Sequence, residues 1–432
     1  MSTAQVFALA VFLAAYTLIA TERIHKVTAA LAGAGIMLAF RLTDGPTAFH
    51  SQEAGIDWNV IFLLLGMMII VGVLRETGLF EFLAISAAKR ARGRPFAVMV
   101  LLCMITAGAS ALLDNVTTVL LIAPVTLLVC DRLGLRPTPY LIAEALASNI
   151  GGTATLIGDP PNIIIASRAG LSFNDFLAHL APFVVVLMAV FLLVCRWLFA
   201  GAFRSDPQRI AEVMALSQRE AIRDVKLLVQ SLVVLGLVLV AFVLQRPLHT
   251  EPSVIALLGA GVLVLISRVT AEEALADVEW ATLVFFMGLF VMVGALVRTG
   301  LIEKASHALV AATEGRPLLA TMGLLVVSAL LSAIVDNIPY VATMAPIVDD
   351  LVTSAGGLDH AQVLWWALAL GADLGGNATA VGASANVVVL GLAARSGTRI
   401  SFWEFTRYGL VIAVLSVVLA APYLWLRYFV IS

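Results

Sequence analysis

The sequence predicts an all-α polytopic membrane protein built from two inverted-topology repeats of five spans, about ten spans and two re-entrant hairpins in all. Three observations predict it. Hydrophobic residues are 61% of the 432 and charged residues only 12%, against about 45–50% and about 25% in soluble domains. Apolar runs at 4–20, 27–40, 58–74, 177–195, 227–244, 253–267, 280–297 and 408–426 are mostly of the ~17–25 residue class that crosses a bilayer. The chain also repeats itself. Trp58 to Leu79 aligns with Trp280 to Leu301, and the register holds without a gap through Asp114-Asn115 against Asp336-Asn337 and Pro124 against Pro346. Chance similarity between apolar helices does not place prolines and Asp-Asn pairs in register.

Taken in order, repeat 1 occupies 1–200, a charged cytoplasmic linker 201–226, and the inverted repeat 2 227–432. After the spans at 4–20, 27–40 and 58–74 comes segment 96–130. Its arms are each ~15 residues, short for a crossing, and its polar tip falls at the turn, so it is read as a re-entrant hairpin. Segment 139–167 follows as a helix interrupted at Gly151-Gly152, then an amphipathic stretch, Ser172 to Phe176, and the span at 177–195. Repeat 2 has its hairpin at 318–352, its interrupted helix at 362–393 broken at Gly375-Gly376, and its amphipathic counterpart at Ser401 to Phe405. Five spans is an odd number, which turns the second half over. The loops at 21–26, 75–95, 131–138, 196–226, 268–279 and 394–407 hold nineteen of the 26 Lys and Arg. By the positive-inside rule that face is cytoplasmic, and both termini are expected outside an inner (cell) membrane. Trp58, Trp280, Trp365, Trp366 and Trp425 are read as interfacial anchors.

Composition excludes several classes. A net charge of −2 is spread along the chain, and no basic arm for nucleic acid occurs. Three cysteines, Cys103, Cys130 and Cys195, lie in or at the ends of apolar segments without metal-ligand spacing, so neither a disulfide framework nor a metal site is expected. No phosphate loop is present, no nucleophile–base set suggests an enzyme, and no cofactor is implied. The expected partners are the lipid bilayer and a small inorganic solute. A homodimer and an ATPase partner are both compatible with the sequence.

Four stretches set polar groups at membrane depth: the two hairpin tips and the two helix breaks. A lone Thr or Asn in a membrane helix is ordinarily interhelical glue worth ~0.6 kcal/mol. An Asp there costs roughly 2.5–3.5 kcal/mol on insertion scales, so a retained one is functional by default. Asp114, Asp336, Asp159 and Asp373 all fall on the repeated constellation. Glycines Gly151, Gly152, Gly375 and Gly376 let the helices unwind, freeing carbonyls and helix-end amides as ligands. Each half keeps one acid near its break but at a different place: Asn149 faces Asp373, and Asp159 of GDPPN faces Ala383 of GASAN. Glu144, in the first arm of its interrupted helix, is a further candidate.

The stretches LLDNVTTVLLIAPVT, SNIGGTATLIGDPPNIIIAS, VDNIPYVATMAPIV and GADLGGNATAVGASANVVVLGLA resemble the ion transporter superfamily. That group holds arsenite/antimonite efflux permeases, P-protein, sodium/proton antiporters and divalent anion symporters. GDPPN and GASANVV look closest to the P-protein-like branch, whose bacterial members are often labelled arsenic transporters. The resemblance covers nearly the whole chain and implies a scaffold domain and an elevator-type transport domain carrying the hairpins. Where dicarboxylate symporters have Ser-Asn-Thr at both tips, this chain has Asp114-Asn115-Val116-Thr117 and Asp336-Asn337-Ile338-Pro339. An acid at each tip repels a dianion and points away from citrate or succinate.

The expectation is a secondary active transporter exporting arsenite or antimonite in exchange for protons. Asp114, Asp159, Asp336 and Asp373 are expected to handle the coupling ion, a proton or else sodium. Asn115, Asn149, Asn162, Asn337, Asn377 and Asn386, with Thr117, Thr118, Thr153, Thr155, Thr343, Thr379 and Ser384, are expected to contact the substrate. A sodium/proton antiporter, another anion transporter of the superfamily and an anion channel are the alternatives.

Overall fold

The computed structural model describes residues 1–21, 23–203, 214, 217–313, 316–354 and 361–431. Every regular element among them is helical, as a chain that must satisfy its backbone in lipid requires. Among the described residues, seven helices are at least 18 residues long and apolar enough to cross a bilayer, and shorter apolar helices stand at Lys26–Ala39, Pro95–Ser110, Pro252–Ser267 and Ser384–Arg395. Of the linker expected at 201–226, residues 204–213 and 215–216 lie outside the described residues; short 3-10 turns stand at Ala200–Ala202 and Gln218–Ala221.

From the third span to the first hairpin arm the two halves run through matching elements in the same order. Trp58–Glu76 and Trp280–Arg298 are both 19 residues, Leu79–Arg90 and Leu301–Ala312 both 12, and Pro95–Ser110 and Pro317–Ser332 both 16. The local signals repeat as well. Gly78 and Gly300 each turn the chain in the left-handed region, at φ 77° and 73°, where a side chain is strained. Ser172 and Ser401 each cap a helix by accepting the amides of Asp175 and Glu404.

The halves also exchange partners. Pro252–Ser267 packs along Trp58–Glu76, and Trp280–Arg298 along Lys26–Ala39, so the second span of each repeat lies on the third span of the other. A second group forms around the hairpins. Each first arm packs on the first arm of its own interrupted helix, and each second arm packs on the far arm of the other half's interrupted helix. The hairpin tips and helix breaks thereby meet at the centre of this second group.

Three expectations change. The second hairpin arms are Asn115–Leu133 and Asn337–Ser354, 19 and 18 residues long, longer than the apolar count suggested. Each carries on past its internal proline, Pro124 or Pro346. Trp365 and Trp366 are buried, unlike the exposed Trp58, Trp280 and Trp425; they lie in the first turn of the inner helix Val363–Gly375, and Trp366 stacks on the His179 ring and meets Phe176 edge to face. The paired glycines serve close packing. A Cβ on Gly151 would meet the Ala107 backbone at 2.3–2.7 Å, and one on Gly375 the Ala329 backbone at 2.5–2.9 Å. Helical geometry continues through Gly152 and Gly375, and the chain leaves the helix only after them. Glycine is required there because each interrupted helix lies almost in contact with its hairpin arm.

Candidate substrate and ion site

Asp114 and Asp336 stand at the two hairpin tips. Asp114 caps Asn115–Leu133 by accepting the Thr117 amide at 2.8 Å, and Asp336 accepts the Ile338 amide at 3.1 Å. Helix N-termini favour a carboxylate in that place, so each acid is held by the arm it begins. Both face a cavity of about 630 Å³, lined also by Arg23, His25, Lys26, Glu279, Pro160 and Ser384.

Beneath the tips lies a network of amides and two further acids, all buried. Asn115 donates to Asp159 at 2.9 Å and to Asn149 at 3.1 Å. Asn337, its counterpart in repeat 2, reaches the same Asp159 at 3.4 Å. One carboxylate thus accepts from both tips. Asn149 donates onward to Asn377 at 3.0 Å and to Asn386 at 3.1 Å, tying the first break to the second.

The breaks are closed by their own asparagines. The Asn162 amide reaches the carbonyls of Gly152, Thr153 and Thr155 at 3.4, 3.4 and 3.0 Å, and the Asn386 amide those of Gly376 and Thr379, both at 2.9 Å. Carbonyls released by an interrupted helix need donors in a dry interior, and here side chains supply them. Thr155 and Thr379 anchor the loops to the hairpin turns, donating to the Ala111 and Ala333 carbonyls. Thr153 bonds the Asn149 carbonyl at 2.9 Å. Ser384 donates to Asp336.

Some candidates stand apart. The Thr343 hydroxyl bonds its own helix at Pro339 and lies 3.5 Å from the Tyr16 hydroxyl, on the side of the first helix group. Thr117 is spent on the cap through its amide. Glu144 is buried and accepts from Thr126 of the hairpin's second arm, away from the network. Buried atoms without a hydrogen-bond partner among the described residues include both Asp373 oxygens, Asn162 Oδ1, Asn377 Nδ2 and Thr118 Oγ1. Thr153 and Asn162 lie against Asp373. Unpartnered buried polar groups are costly, and four of these five atoms belong to the break asparagines and the acid between them.

Sequence reasoning missed Lys26, Arg23 and Glu279. A charge at the end of an apolar run is ordinarily an anchor that reaches the interface, and no local signal set these apart. What brings them in is the exchange of partners between the halves, which places the Lys26 and Glu279 ends of two packed helices over the hairpin tips.

A family model described as citrate transporter matches residues 16–371. A 46 kDa membrane protein of Mycobacterium leprae is 57% identical, the match covering 99% of this chain and 100% of the relative. An uncharacterized transporter of Mycobacterium tuberculosis is 59% identical over 98% of this chain and 99% of its own length. The P protein of Mus musculus is 35% identical over 98% of this chain, which spans 60% of that longer relative. Among solved structures, the YdaH transporter of Alcanivorax borkumensis superposes with a TM-score of 0.61 over 93% of this chain and 96% of that one. At 15% identity that likeness is one of fold. With a family model matched over most of its length, full-length transporter relatives and a transporter's helical architecture, the chain belongs to the citrate transporter family of the ion transporter superfamily and is a multi-pass membrane transporter.

Proposed function

We propose that this protein is a cation-coupled secondary transporter that exports a small, neutral, hydroxylated inorganic solute, arsenite or antimonite, in exchange for protons. The observation that carries the reading is the single carboxylate of Asp159 bridging the amides of Asn115 and Asn337. An acid shared by both hairpin tips lets one cation, bound or released, act on both sides of the site. Four carboxylates converge on tips and breaks, and a buried carboxylate is sustained only by a proton, a cation or full hydrogen bonding.

The substrate class follows from the cavity's chemistry. Asp114 and Asp336 line it, which disfavours an unaccompanied dianion. Arsenite is mostly the neutral trihydroxide at neutral pH, and amides, hydroxyls and carboxylates suit its hydroxyls. The second reading is a carboxylate substrate, favoured by Arg23 and Lys26 on the same cavity wall and by the family's description. In either reading the two hairpins and their interrupted helices move as one body against the remaining spans, with the second repeat inverted relative to the first.

Uptake of radiolabelled arsenite and of citrate into everted vesicles, with sodium and the proton gradient varied independently, tests both. Arsenite uptake driven by the proton gradient, and lost in Asp114→Asn and Asp336→Asn proteins that still fold, is the expected result. Citrate uptake instead replaces the substrate reading, and current with no counter-ion dependence makes the protein a channel.

A further inference from the structure

Lys26 is the first residue of Lys26–Ala39, a helix of the group outside the hairpins. Its ammonium lies 3.3 Å from the Ser384 hydroxyl oxygen, and that hydroxyl donates its proton to Asp336. The lysine therefore stands one hydroxyl away from a hairpin acid, in a relay whose direction is fixed. The Phe285 ring, 5.3 Å from the ammonium, holds its other side. Asp114, Asp336 and Glu279 line the same cavity, with Arg23 and His25 at the same wall, and Glu279 lies within electrostatic reach of both Asp114 and Lys26. No carboxylate lies within ion-pair distance of Lys26 among the described residues. The matching helix of repeat 2, Pro252–Ser267, has no lysine, so the arrangement occurs once.

We infer that Lys26 is the built-in counter-ion of the hairpin acids, and that its ammonium and the coupling cation compete for them. The inference rests on the cation coupling proposed above. Ser384 has one hydroxyl proton to donate and one oxygen to accept with. A proton on Asp336 neutralises the charge that Lys26 faces and weakens the acceptor that orients the hydroxyl, and a metal cation takes the oxygen that Lys26 now uses. The proton leaves the Lys26 ammonium without its counter-charge, and the metal cation sets two positive charges side by side in a poorly screened cavity. Lys26 and Ser384 belong to different helix groups, 358 residues apart in sequence, so the same event breaks a tie between the groups. Occupancy of the acids and release of the hairpin body become one step.

The test is thermal unfolding of the full-length protein in detergent. Sodium is titrated against choline at constant ionic strength and pH, and pH is titrated separately without sodium. In whichever titration the wild type responds, Lys26→Met is expected to respond at about tenfold lower cation activity, about one pH unit higher for protons. Lys26→Arg should follow the wild type, and adding Lys26→Met to Asp336→Asn should bring no further shift. Lys26→Ala serves as the second variant should the methionine protein fail to fold. Superimposable wild-type and Lys26→Met curves overturn this inference while leaving coupling intact. A wild type indifferent to both cations overturns it together with the proposed coupling.

Discussion

Asp159 does with one side chain what symmetry would assign to two. It is fully buried, and donors from both hairpin tips converge on it. Asparagine at this place keeps an acceptor oxygen and nearly the same volume but removes the charge. Asp159→Asn is therefore expected to fold with an unchanged or higher melting temperature while coupled transport falls at least about 100-fold. A variant with wild-type cation dependence in the vesicle assay would remove Asp159 from the coupling set. The acids at tips and breaks were legible in the sequence because a charge inside an apolar run stands out against its surroundings. Lys26 and Glu279 were not, because a charge at the end of a run is ordinary and only tertiary packing shows what it faces.

At the scale of elements, close approach and capping decide the geometry. A side chain on Gly151 or Gly375 would drive the interrupted helix off its hairpin arm. Overpacking of this kind costs roughly 1–3 kcal/mol, so Gly151→Val and Gly375→Val should melt several degrees lower. Gly236, with nothing within 4 Å of its added Cβ, is the control, and Gly236→Ala should be neutral or slightly stabilising. Equal losses at the three sites would contradict the close-packing role. The turn before Gly45–His50 offers a pH test outside the spans. There the Thr47 amide first, then its hydroxyl and Arg298, hold the Asp44 carboxyl at about 2 against an ordinary 3.8. A lowered carboxyl stabilises the fold above its ordinary value, and the gain fades as pH falls toward the folded one. The melting difference between wild type and Asp44→Asn should accordingly shrink from pH 3.8 toward about 2. A difference constant with pH would show that Asp44 acts by packing alone. The order of the elements was legible from the repeat. The function of the paired glycines was not, since glycine in a sequence signals unwinding and close contact alike.

At the scale of the whole molecule, the repeat predicts opposite orientations for equivalent positions. Arg90 and Ala312 end matching helices, Leu79–Arg90 and Leu301–Ala312. With the three native cysteines replaced by serine, Arg90→Cys should react with an impermeant maleimide from the cytoplasmic face and Ala312→Cys from the opposite one. Labelling of both from one side would refute the inversion. The exchange of partners between the halves could not be read from one chain without coordinates: periodicity shows which face of a helix is apolar and leaves open which helix covers it.

The uneven division of acids between the halves has a consequence for how such a protein arises. Two identical halves, joined by duplication, would carry either two copies of Asp159 or two of Asp373. A chimera of two first repeats would press two carboxylates against one pair of tip asparagines; a chimera of two second repeats would lose that shared acid and set another in the place of Asn149, beside Asn115. Each half has become the complement of the other, and neither can serve as a replacement for its twin.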